Sequence, residues 1–169
     1  MKNTFYITTP IYYVNDKPHI GHAYTTILAD VLTRFYRNMH IETFFLTGLD
    51  EHGQKVQQAA SNRCVSPQKH CDEMVLRFTQ LWKKLHISND DFIRTTEERH
   101  KNIVQKILQL VYDSGDIYED EYEGLYSVSE ERFITEKEAK NGEFRDIKKI
   151  KEKNYFFKMG SYQQRLIDH

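Results

Sequence analysis

The sequence predicts an α/β fold built on a parallel β-sheet, and two observations support this prediction. Within residues 4–46, a β-like run, a polar loop, a helix-like run and a second β-like run follow one another. A βαβ unit of this kind has a right-handed crossover in nearly all cases, and its strands lie parallel. Further along, apolar residues recur twice at helical spacing. Open parallel sheets bind ligands at the carboxyl ends of their strands, so a site is expected at that edge.

The first strand is predicted over residues 5–9, because residues 4–9 are rich in β-branched and aromatic side chains. Pro10 should end this strand, and residues 15–18 have the composition of a loop. A helix is then predicted from about Gly21 to about Met39. Its apolar positions are Ala23, Ile27, Leu28, Val31, Leu32 and Phe35, and its other faces carry Asp30, Arg34 and Arg37.

The second strand is predicted over residues 40–46, and a polar loop over residues 47–53 follows it. Because parallel strands end at the same edge of a sheet, this loop and residues 15–22 should lie side by side. The sequence therefore predicts that the histidines of the first loop face Asp50 of the second.

Two further helices are predicted in the first part of the chain. Ser66-Pro67 is a typical helix start, a capping hydroxyl followed by proline at the first helical position. A third helix should follow FIRTTEERH, residues 92–100, and end at Ser114-Gly115. The apolar positions are Cys71, Met74, Val75, Phe78, Leu81, Trp82 and Leu85 in the second helix, and Ile103, Val104, Ile107, Leu108, Val111 and Tyr112 in the third.

The composition changes after Gly115, which predicts two domains, residues 1–114 and residues 115–169. The second domain should contain a hairpin of short strands joined by acidic residues, a charged segment, a further strand and the start of a helix. The predicted features are strands at Ile117-Tyr118, residues 125–133 and residues 154–159, a turn at Asn141-Gly142, and a helix from about Tyr162.

The bulk composition narrows the function classes. The formal net charge is −1, so no net field draws the whole chain to nucleic acid or to a membrane. No segment approaches the run of about 18 apolar residues that a membrane span needs, and the N-terminal residues lack the apolar core of a signal peptide. Cys64 and Cys71 match no zinc motif and are expected to be reduced. A cytoplasmic protein without membrane or DNA partners is expected.

His19 and His22 flank Gly21 at the predicted start of the first helix. A helix N-terminus carries unpaired amides and about half a positive charge, which favours phosphate. Either the loop needs polar residues at this point, or a nucleotide phosphate binds there, with the backbone of Gly21 in close approach. Asp50 also has two interpretations, a turn cap before glycine or the partner of a substrate ammonium.

Five other polar residues remain ambiguous from the sequence. His52 has the same two interpretations as Asp50: it could be a polar residue of the turn, or it could contact a substrate. The side chains of the FIRTTEERH segment could face phosphate or could cap the third helix. The residues concerned in that segment are Arg94, Thr95, Thr96 and Arg99.

Four segments give a more specific indication. TTPIYYVNDKPHIGH, TGLDEHGQK, FIRTTEERH and NYFFKM occur in this order along the chain. Over essentially its whole length the chain resembles the amino-terminal part of the methionyl-tRNA synthetases, a family of class I aminoacyl-tRNA synthetases. HIGH, residues 19–22, matches the first class I signature.

The resemblance implies the first half of a Rossmann-type catalytic domain, followed by part of a small β-containing connective insertion. It implies activation of methionine by ATP with Mg²⁺ to methionyl-adenylate, and transfer of methionine to tRNA(Met). The implied site residues are His19, Gly21 and His22 for ATP, with both histidines catalytic, and Pro10, Ile11, Tyr13 and Asp50 for methionine, with Asp50 on its amine.

The sequence departs from the family pattern at two points. Many members hold zinc with paired cysteines in the insertion, whereas this chain has Ser127, Ser129 and Glu130 there, so no structural zinc is expected. The second class I signature, K-M-S-K-S, does not occur in the 169 residues, and KMGS at residues 158–161 lies among residues that match the insertion. The chain should therefore be a fragment without the second signature loop and the anticodon-binding domain. Alone it should be weak or inactive, and it should expose surface that the second half covers.

Two other functions are alternatives. Small nucleotidyltransferases also use an H-x-G-H loop at a helix start, but the Ser/Thr-Arg-rich signature expected near their carboxyl end does not occur here. A non-catalytic RNA- or protein-binding module could use the basic stretch within residues 145–153. Because acidic residues interrupt this stretch, it is also typical of a solvated face. Its basic residues are Arg145, Lys148, Lys149, Lys151 and Lys153.

Overall fold

The computed structural model describes residues 3–130, 132–141, 144 and 146–169. The chain divides into two units, residues 1–104 and residues 105–169, and the domain division near residue 114 stays a prediction. The elements in chain order are β1 (Thr4–Tyr13), α1 (Ile20–Asn38), β2 (Glu42–Asp50), α2 (Gln54–Asn62), α3 (Pro67–Lys84), β3 (Asp91–Arg94), α4 (Glu98–Asp113), β4 (Ile117–Ser127), β5 (Arg132–Ile134), α5 (Glu136–Lys140), β6 (Ile147–Phe157), a short 3-10 helix (Met159–Tyr162) and α6 (Gln163–Asp168).

A parallel sheet with the strand order β1-β2-β3 forms the first unit, in the part of the chain that the structure describes. β1 pairs with β2 from Thr4 opposite Glu42 to Tyr13 opposite Asp50, so both strands end at one edge. This arrangement confirms the predicted α/β class and the parallel βαβ unit. β2 continues to Asp50, so the predicted loop start at Thr47 is wrong.

The prediction that Pro10 ends the first strand is also wrong. β1 continues to Tyr13 through a register shift between Thr8 and Ile11, where β1 has one more residue than β2. Proline cannot donate a ladder hydrogen bond, and bulges and edge strands are where a sheet tolerates it. Beyond the bulge Tyr12 is buried at 6% exposure, while Ile11 and Tyr13 are exposed.

The helix α1 has the predicted extent but not the predicted distribution of burial. Thr26, Ala29, Asp30 and Thr33 are its buried residues. The predicted apolar positions Leu28, Val31 and Phe35 are 51%, 56% and 55% exposed, and Ile27 and Leu32 are 41% and 39% exposed. The predicted inward positions of α4 are not buried either, because none of the residues of this helix is buried. Hydrophobic spacing therefore predicted these helices without identifying the face that packs on this sheet.

Hydrogen bonds compensate the burial of Asp30. One carboxylate oxygen accepts from the Ser88 backbone N–H (2.7 Å) and hydroxyl (2.6 Å), and the other pairs with Arg34 Nε at 2.6 Å. Burial alone would raise the pKa of Asp30, but the bonds from Ser88 and Arg34 outweigh it and hold that pKa below its usual value. A buried polar group that is fully partnered is compatible with a packed helix face.

The core of the first unit is formed by α3, α2 and the buried side of the sheet. Ser66 caps α3 as predicted, because its hydroxyl accepts from the Lys69 N–H at 3.3 Å. The apolar stripe of α3 is buried as predicted, at Cys71, Met74, Phe78 and Trp82. The elements α2, β3 and α5 were not predicted; all three are short. The core cluster contains Tyr12, Val14, Leu49, Val56, Cys71, Met74, Phe78 and Trp82.

The second unit is built on a long antiparallel pair. β4 pairs with β6 along its whole length, from Ile117 opposite Phe157 to Ser127 opposite Ile147. The predicted hairpin is therefore wrong, because the two predicted short strands begin within one continuous strand. Acidic residues of β4 pair with lysines of β6 that lie diagonally across the ladder, two positions from the residue directly opposite. Diagonal neighbours of this kind are within reach of long side chains, and such opposite charges stabilise the pairing. The ion pairs are Glu123–Lys149, Glu121–Lys151 and Glu119–Lys153.

The start of a helix near Tyr162 is confirmed by α6. Gly142 of the predicted turn and Arg145 of the basic stretch lie outside the described residues. None of the described helices is long and apolar enough to cross a membrane.

Candidate active site

The predicted site residues lie at the carboxyl edge of the parallel sheet and at the start of α1. Tyr13 and Asp50 are partners in the β1–β2 register, and His19 is the N-cap residue of α1. Side chains of paired residues in neighbouring strands, and of residues two apart in one strand, share a face of the sheet. Ile11, Tyr13 and Asp50 therefore stand on the same face, with Gly48 opposite Ile11.

The two histidines form a capping box at the start of α1. His19 Nδ1 accepts from the Gly21 N–H at 3.1 Å, and His22 Nδ1 accepts from the His19 N–H at 3.2 Å. The rings stack with centroids 3.8 Å apart. Because a backbone amide can only donate, each Nδ1 is an acceptor, and each neutral ring carries its proton on Nε2. Both histidines therefore keep an Nε2–H donor that the helix cap does not use.

The ring of His22 is held by aromatic residues that the sequence did not indicate. Its centroid lies 4.7 Å from that of Tyr12 and 5.3 Å from that of Phe78, and the Tyr12 hydroxyl bonds Thr26 Oγ1 at 2.9 Å. Burial, and then the neighbouring His19, lower the pKa of His22. The neutral ring that the capping box requires is therefore the favoured form at neutral pH.

Gly21 is needed for the position of the His19 ring. A Cβ at residue 21 would lie 3.0 Å from His19 Cε1 and 3.1 Å from His19 Nδ1. Such contacts are tighter than nine in ten real Cβ contacts, so a side chain at residue 21 would require the His19 ring to shift by a few tenths of an ångström. In this structure the close approach predicted at Gly21 is made by His19.

The loop after β2 is fixed by a buried carboxylate. Glu51, 4% exposed, accepts from Arg94 Nε at 2.8 Å and from the Thr96 hydroxyl. Arg94 also binds Asp72 at 2.6 Å. The candidates Arg94 and Thr96 are thus engaged with Glu51, which favours a structural role for them over a phosphate contact. Arg99 likewise binds Asp91 and Glu97.

His70 is a second buried polar residue that sequence reasoning missed. It is 1% exposed, and its Nε2 lies 2.7 Å from the Val14 carbonyl oxygen while its Nδ1 lies 2.9 Å from Arg63 Nη1. A carbonyl can only accept and a guanidinium can only donate, so Nε2 carries the proton and Nδ1 accepts. His70 therefore anchors the first residue of the loop that leads from β1 to His19.

The predicted wall of the methionine site is open in this chain. Pro10 is exposed, and Ile11 and Tyr13 are 44% and 36% exposed.

The second unit contains an open cavity of about 710 Å³. Its lining includes none of the predicted site residues; among the lining residues are Tyr122, Leu125, Ile134, Thr135 and Lys149.

The segment where the family resemblance suggests a zinc site is organised by serine hydroxyls. Ser127 is fully buried; its oxygen lies 3.1 Å from Ser129 Oγ and accepts from the Glu130 N–H at 3.3 Å. Among the described residues no cluster of three histidine, cysteine or acidic side chains could hold a metal ion. The expectation that the insertion lacks zinc stays a prediction.

The basic stretch of the second unit is largely neutralised within its own sheet. Lys149, Lys151 and Lys153 each pair with a glutamate of β4 at 2.6–3.2 Å. The hydrogen bonds and charges of these partners raise the pKa values of Lys149 and Lys153. A lysine that is already paired with a glutamate gains little free energy by binding a phosphate instead. The ion pairs between β4 and β6 therefore count against the RNA-binding alternative.

A parallel βαβ unit with a histidine-flanked helix start at its carboxyl edge places the first unit in the class of Rossmann-type α/β folds. The model of the family described as tRNA synthetases class I (M) matches residues 5–143. The chain belongs to this family.

Individual relatives agree with the family assignment. The chain is 48% identical over 182 aligned positions to a protein of Listeria monocytogenes named methionine–tRNA ligase, covering 99% of this chain and 27% of that protein. It is 50% identical over 175 positions to one of the same name from Fusobacterium nucleatum, with coverage of 100% and 27%. The structure of Mycobacterium tuberculosis methionyl-tRNA synthetase in complex with methionyl-adenylate superposes with a TM-score of 0.90 at 37% identity, covering 100% of this chain and 35% of that chain. The chain thus spans about a quarter to a third of the length of these proteins.

Proposed function

We propose that the complete protein is a methionine–tRNA ligase, which activates methionine with ATP to methionyl-adenylate and transfers methionine to tRNA(Met). The observation that carries this proposal is the similarity of the whole chain to relatives named methionine–tRNA ligase. The similar synthetase of M. tuberculosis, whose structure contains methionyl-adenylate, supports ATP and methionine as the substrates. The free thiols of Cys64 and Cys71 fit a reducing compartment, and we propose the cytoplasm as the location.

The proposed activation step needs no nucleophilic side chain. A carboxylate oxygen of methionine attacks the α-phosphorus of ATP; the new P–O bond forms as the bond to pyrophosphate breaks, and the electron pair leaves with pyrophosphate. The Nε2–H groups of His19 and His22 would donate to phosphate oxygens on which charge develops, at the amino end of α1 beside Gly21. Mg²⁺ would accompany ATP, because Mg²⁺ in such sites is held largely by substrate phosphates.

The proposed methionine site is the shared face of β1 and β2. The Asp50 carboxylate would accept the substrate ammonium in a charge-assisted hydrogen bond. Ile11 and Tyr13, which stand on the face that carries Asp50, and Pro10 beside them would contact the thioether side chain. The exposure of Ile11 and Tyr13 leaves apolar surface available for that contact.

Methionine-dependent ATP–pyrophosphate exchange by the complete protein tests this function. Asp50→Asn keeps the shape of the side chain and removes its charge, so the KM for methionine should rise at least 10-fold while the KM for ATP changes little, as expected for loss of about 1.5–3 kcal/mol. Asp113→Asn, at an exposed residue of α4, is the matched control and should behave as wild type. Exchange that depends on another amino acid, or none at all, would overturn the proposal.

A further inference from the structure

We propose that Thr95 is a positioning residue that fixes the tautomer of His52, so that the His52 ring becomes a hydrogen-bond donor next to Asp50. The donor would bind an anionic oxygen of the substrates, either the amino-acid carboxylate or the α-phosphate. This inference deepens the proposed function and rests on it, because it adds one contact to the same site.

Thr95 connects the loops that follow β2 and β3. Its side chain is 5% exposed, and its backbone N–H donates to the Leu49 carbonyl at 3.2 Å. Its hydroxyl oxygen accepts from the Glu51 backbone N–H at 2.9 Å and lies 2.9 Å from His52 Nδ1. One buried hydroxyl therefore contacts both residues that follow Asp50.

The surroundings of Thr95 keep this contact rigid. Its neighbours Arg94 and Thr96 both donate to the buried carboxylate of Glu51. Arg94 is tied in turn to Asp72 of α3. The loop after β2 is thus held by side chains on both sides of Thr95, so the hydroxyl has little freedom to change partners.

Counting protons gives the tautomer of His52. A threonine hydroxyl has one proton and two lone pairs, and the Glu51 amide, which can only donate, occupies one lone pair. Among the contacts of this hydroxyl within the described residues, His52 Nδ1 is the group that can accept its proton. If Nδ1 carried the ring proton instead, the buried hydroxyl would keep a proton without an acceptor, which is costly. The neutral ring of His52 therefore carries its proton on Nε2.

The consequence is a donor and an acceptor at one strand end. The His52 ring is exposed, and the His52 backbone N–H donates to Asp50 Oδ1 at 3.3 Å. Asp50 accepts from a cation, whereas His52 Nε2–H donates to an anion. An amino acid presents both groups, an ammonium and a carboxylate, and the carboxylate is the atom group that reacts at the phosphate.

The first test measures the tautomer and does not depend on the proposed function. Nitrogen-15 spectra of the histidine-labelled chain, at a pH where the rings are neutral, distinguish a protonated Nε2 from a protonated Nδ1, and the spectrum of His52→Gln assigns the signal. We expect a single Nε2–H form in wild type and in Thr95→Ser, and a mixture in Thr95→Val. An Nδ1–H form in wild type, or the same spectrum in Thr95→Val, would overturn the inference.

The second test measures catalysis by the complete protein in methionine-dependent ATP–pyrophosphate exchange. Thr95→Val should lower kcat/KM by about 10- to 100-fold, whereas Thr95→Ser, which keeps the hydroxyl, should stay near wild type. A rise in the KM for methionine identifies the carboxylate as the acceptor, and a rise in the KM for ATP identifies the phosphate. Thr79→Val removes a hydroxyl whose hydrogen bonds, among the described residues, stay within α3, so it is the matched control and should have no effect.

A double-mutant cycle separates positioning from a general structural role. If Thr95 acts through His52, then His52→Ala should lose as much activity as Thr95→Val, and the double variant should lose no more than either single variant. Additive losses, or activity unchanged in Thr95→Val, would overturn the positioning role. Wild-type protein without methionine-dependent exchange would remove the proposed function and leave the tautomer result standing.

Discussion

At the scale of single residues, the two histidines at the start of α1 each use one ring nitrogen, Nδ1, to cap the helix. Each Nδ1 accepts a backbone N–H of the first helical turn, where a helix leaves its amides unpaired. Among the residues that the structure describes, no hydrogen bond occupies either Nε2. Gly21 favours this arrangement, because a side chain there would make a tight contact with the His19 ring. The helix start is thus capped and still offers two donors to an anion.

Cys71 offers a test of how firmly the loop after β2 is held. Its thiol lies 3.8 Å from the Glu51 carbonyl oxygen, and burial, followed by the charge of Glu51, raises its pKa to about 11. At pH 8 the thiolate is therefore on the order of one in a thousand molecules, and the side chain is shielded. We expect iodoacetamide to modify the exposed Cys64 rapidly and Cys71 only in denaturant.

The sign of the pH effect follows from the raised pKa. The unfolded chain loses the thiol proton at a lower pH than the folded chain, so the free energy of unfolding should fall as the pH rises towards 11. Cys71→Ser is the control for the modification site, measured by mass spectrometry. Rapid labelling of Cys71 in the native chain would show that the loop opens readily.

Several residues of the candidate site were predictable from the sequence, and others were not. His19, Gly21, His22 and Asp50 stand where local patterns place a helix start and a strand end. Thr95 was indicated only as an ambiguous member of a motif, because its contact with Glu51 spans 44 residues of sequence. His70 and Glu51 carry no periodic signal, since each is a lone polar residue whose partners come from distant elements.

At the scale of elements, α1 shows why an apolar stripe does not always mark the buried face of a helix. Its extent was predicted well, because spacing alone defines a helix. Its packed face instead carries Thr26, Asp30 and Thr33. Their polar groups are satisfied, Thr33 by the Ala29 carbonyl and Asp30 by the segment before β3. Such partners are invisible in the sequence, so the prediction of the face failed although the prediction of the helix was right.

Asp30 should therefore be a main link between α1 and the segment that leads into β3. Asp30→Ala leaves the Ser88 amide and hydroxyl without their acceptor and should lower the free energy of unfolding by about 2–3 kcal/mol. The folded pKa of Asp30 is depressed, so this stabilisation is present above the usual carboxyl pKa and is lost as the pH falls through the folded value. Urea unfolding at neutral and acidic pH measures both effects.

Asp113→Ala is the control for this experiment. Asp113 is exposed, and its carboxylate accepts a hydrogen bond from the Gln109 side chain one turn away, so its loss should change stability by no more than about 0.5 kcal/mol. An Asp30→Ala variant as stable as this control would mean that the Ser88 contacts contribute no net stability.

At the scale of the whole molecule, many large hydrophobic side chains of the chain are exposed, and several of them lie together on α1. Tyr24, Leu28, Val31 and Phe35 form a continuous stripe on α1, each more than half exposed. Contiguous exposed apolar surface of this kind marks contact sites. The chain also spans only 27% of the length of the relatives named methionine–tRNA ligase. We infer that the remainder of the complete protein covers this stripe.

The 169-residue chain on its own should consequently self-associate. Val31→Glu combined with Phe35→Lys replaces two apolar side chains by a favourable i,i+4 pair with no change in net charge. This double variant should convert the isolated chain to a monomer in analytical ultracentrifugation at micromolar concentrations.

In the complete protein the same change should lower the unfolding temperature, because it would bury two charges in an apolar contact. Asn102→Glu creates an i,i+4 pair with Lys106 on exposed positions of α4. This control should neither make the isolated chain monomeric nor lower the unfolding temperature of the complete protein. A wild-type chain that is already monomeric, or a complete protein that tolerates the double variant, would contradict the inference that this stripe is a covered surface.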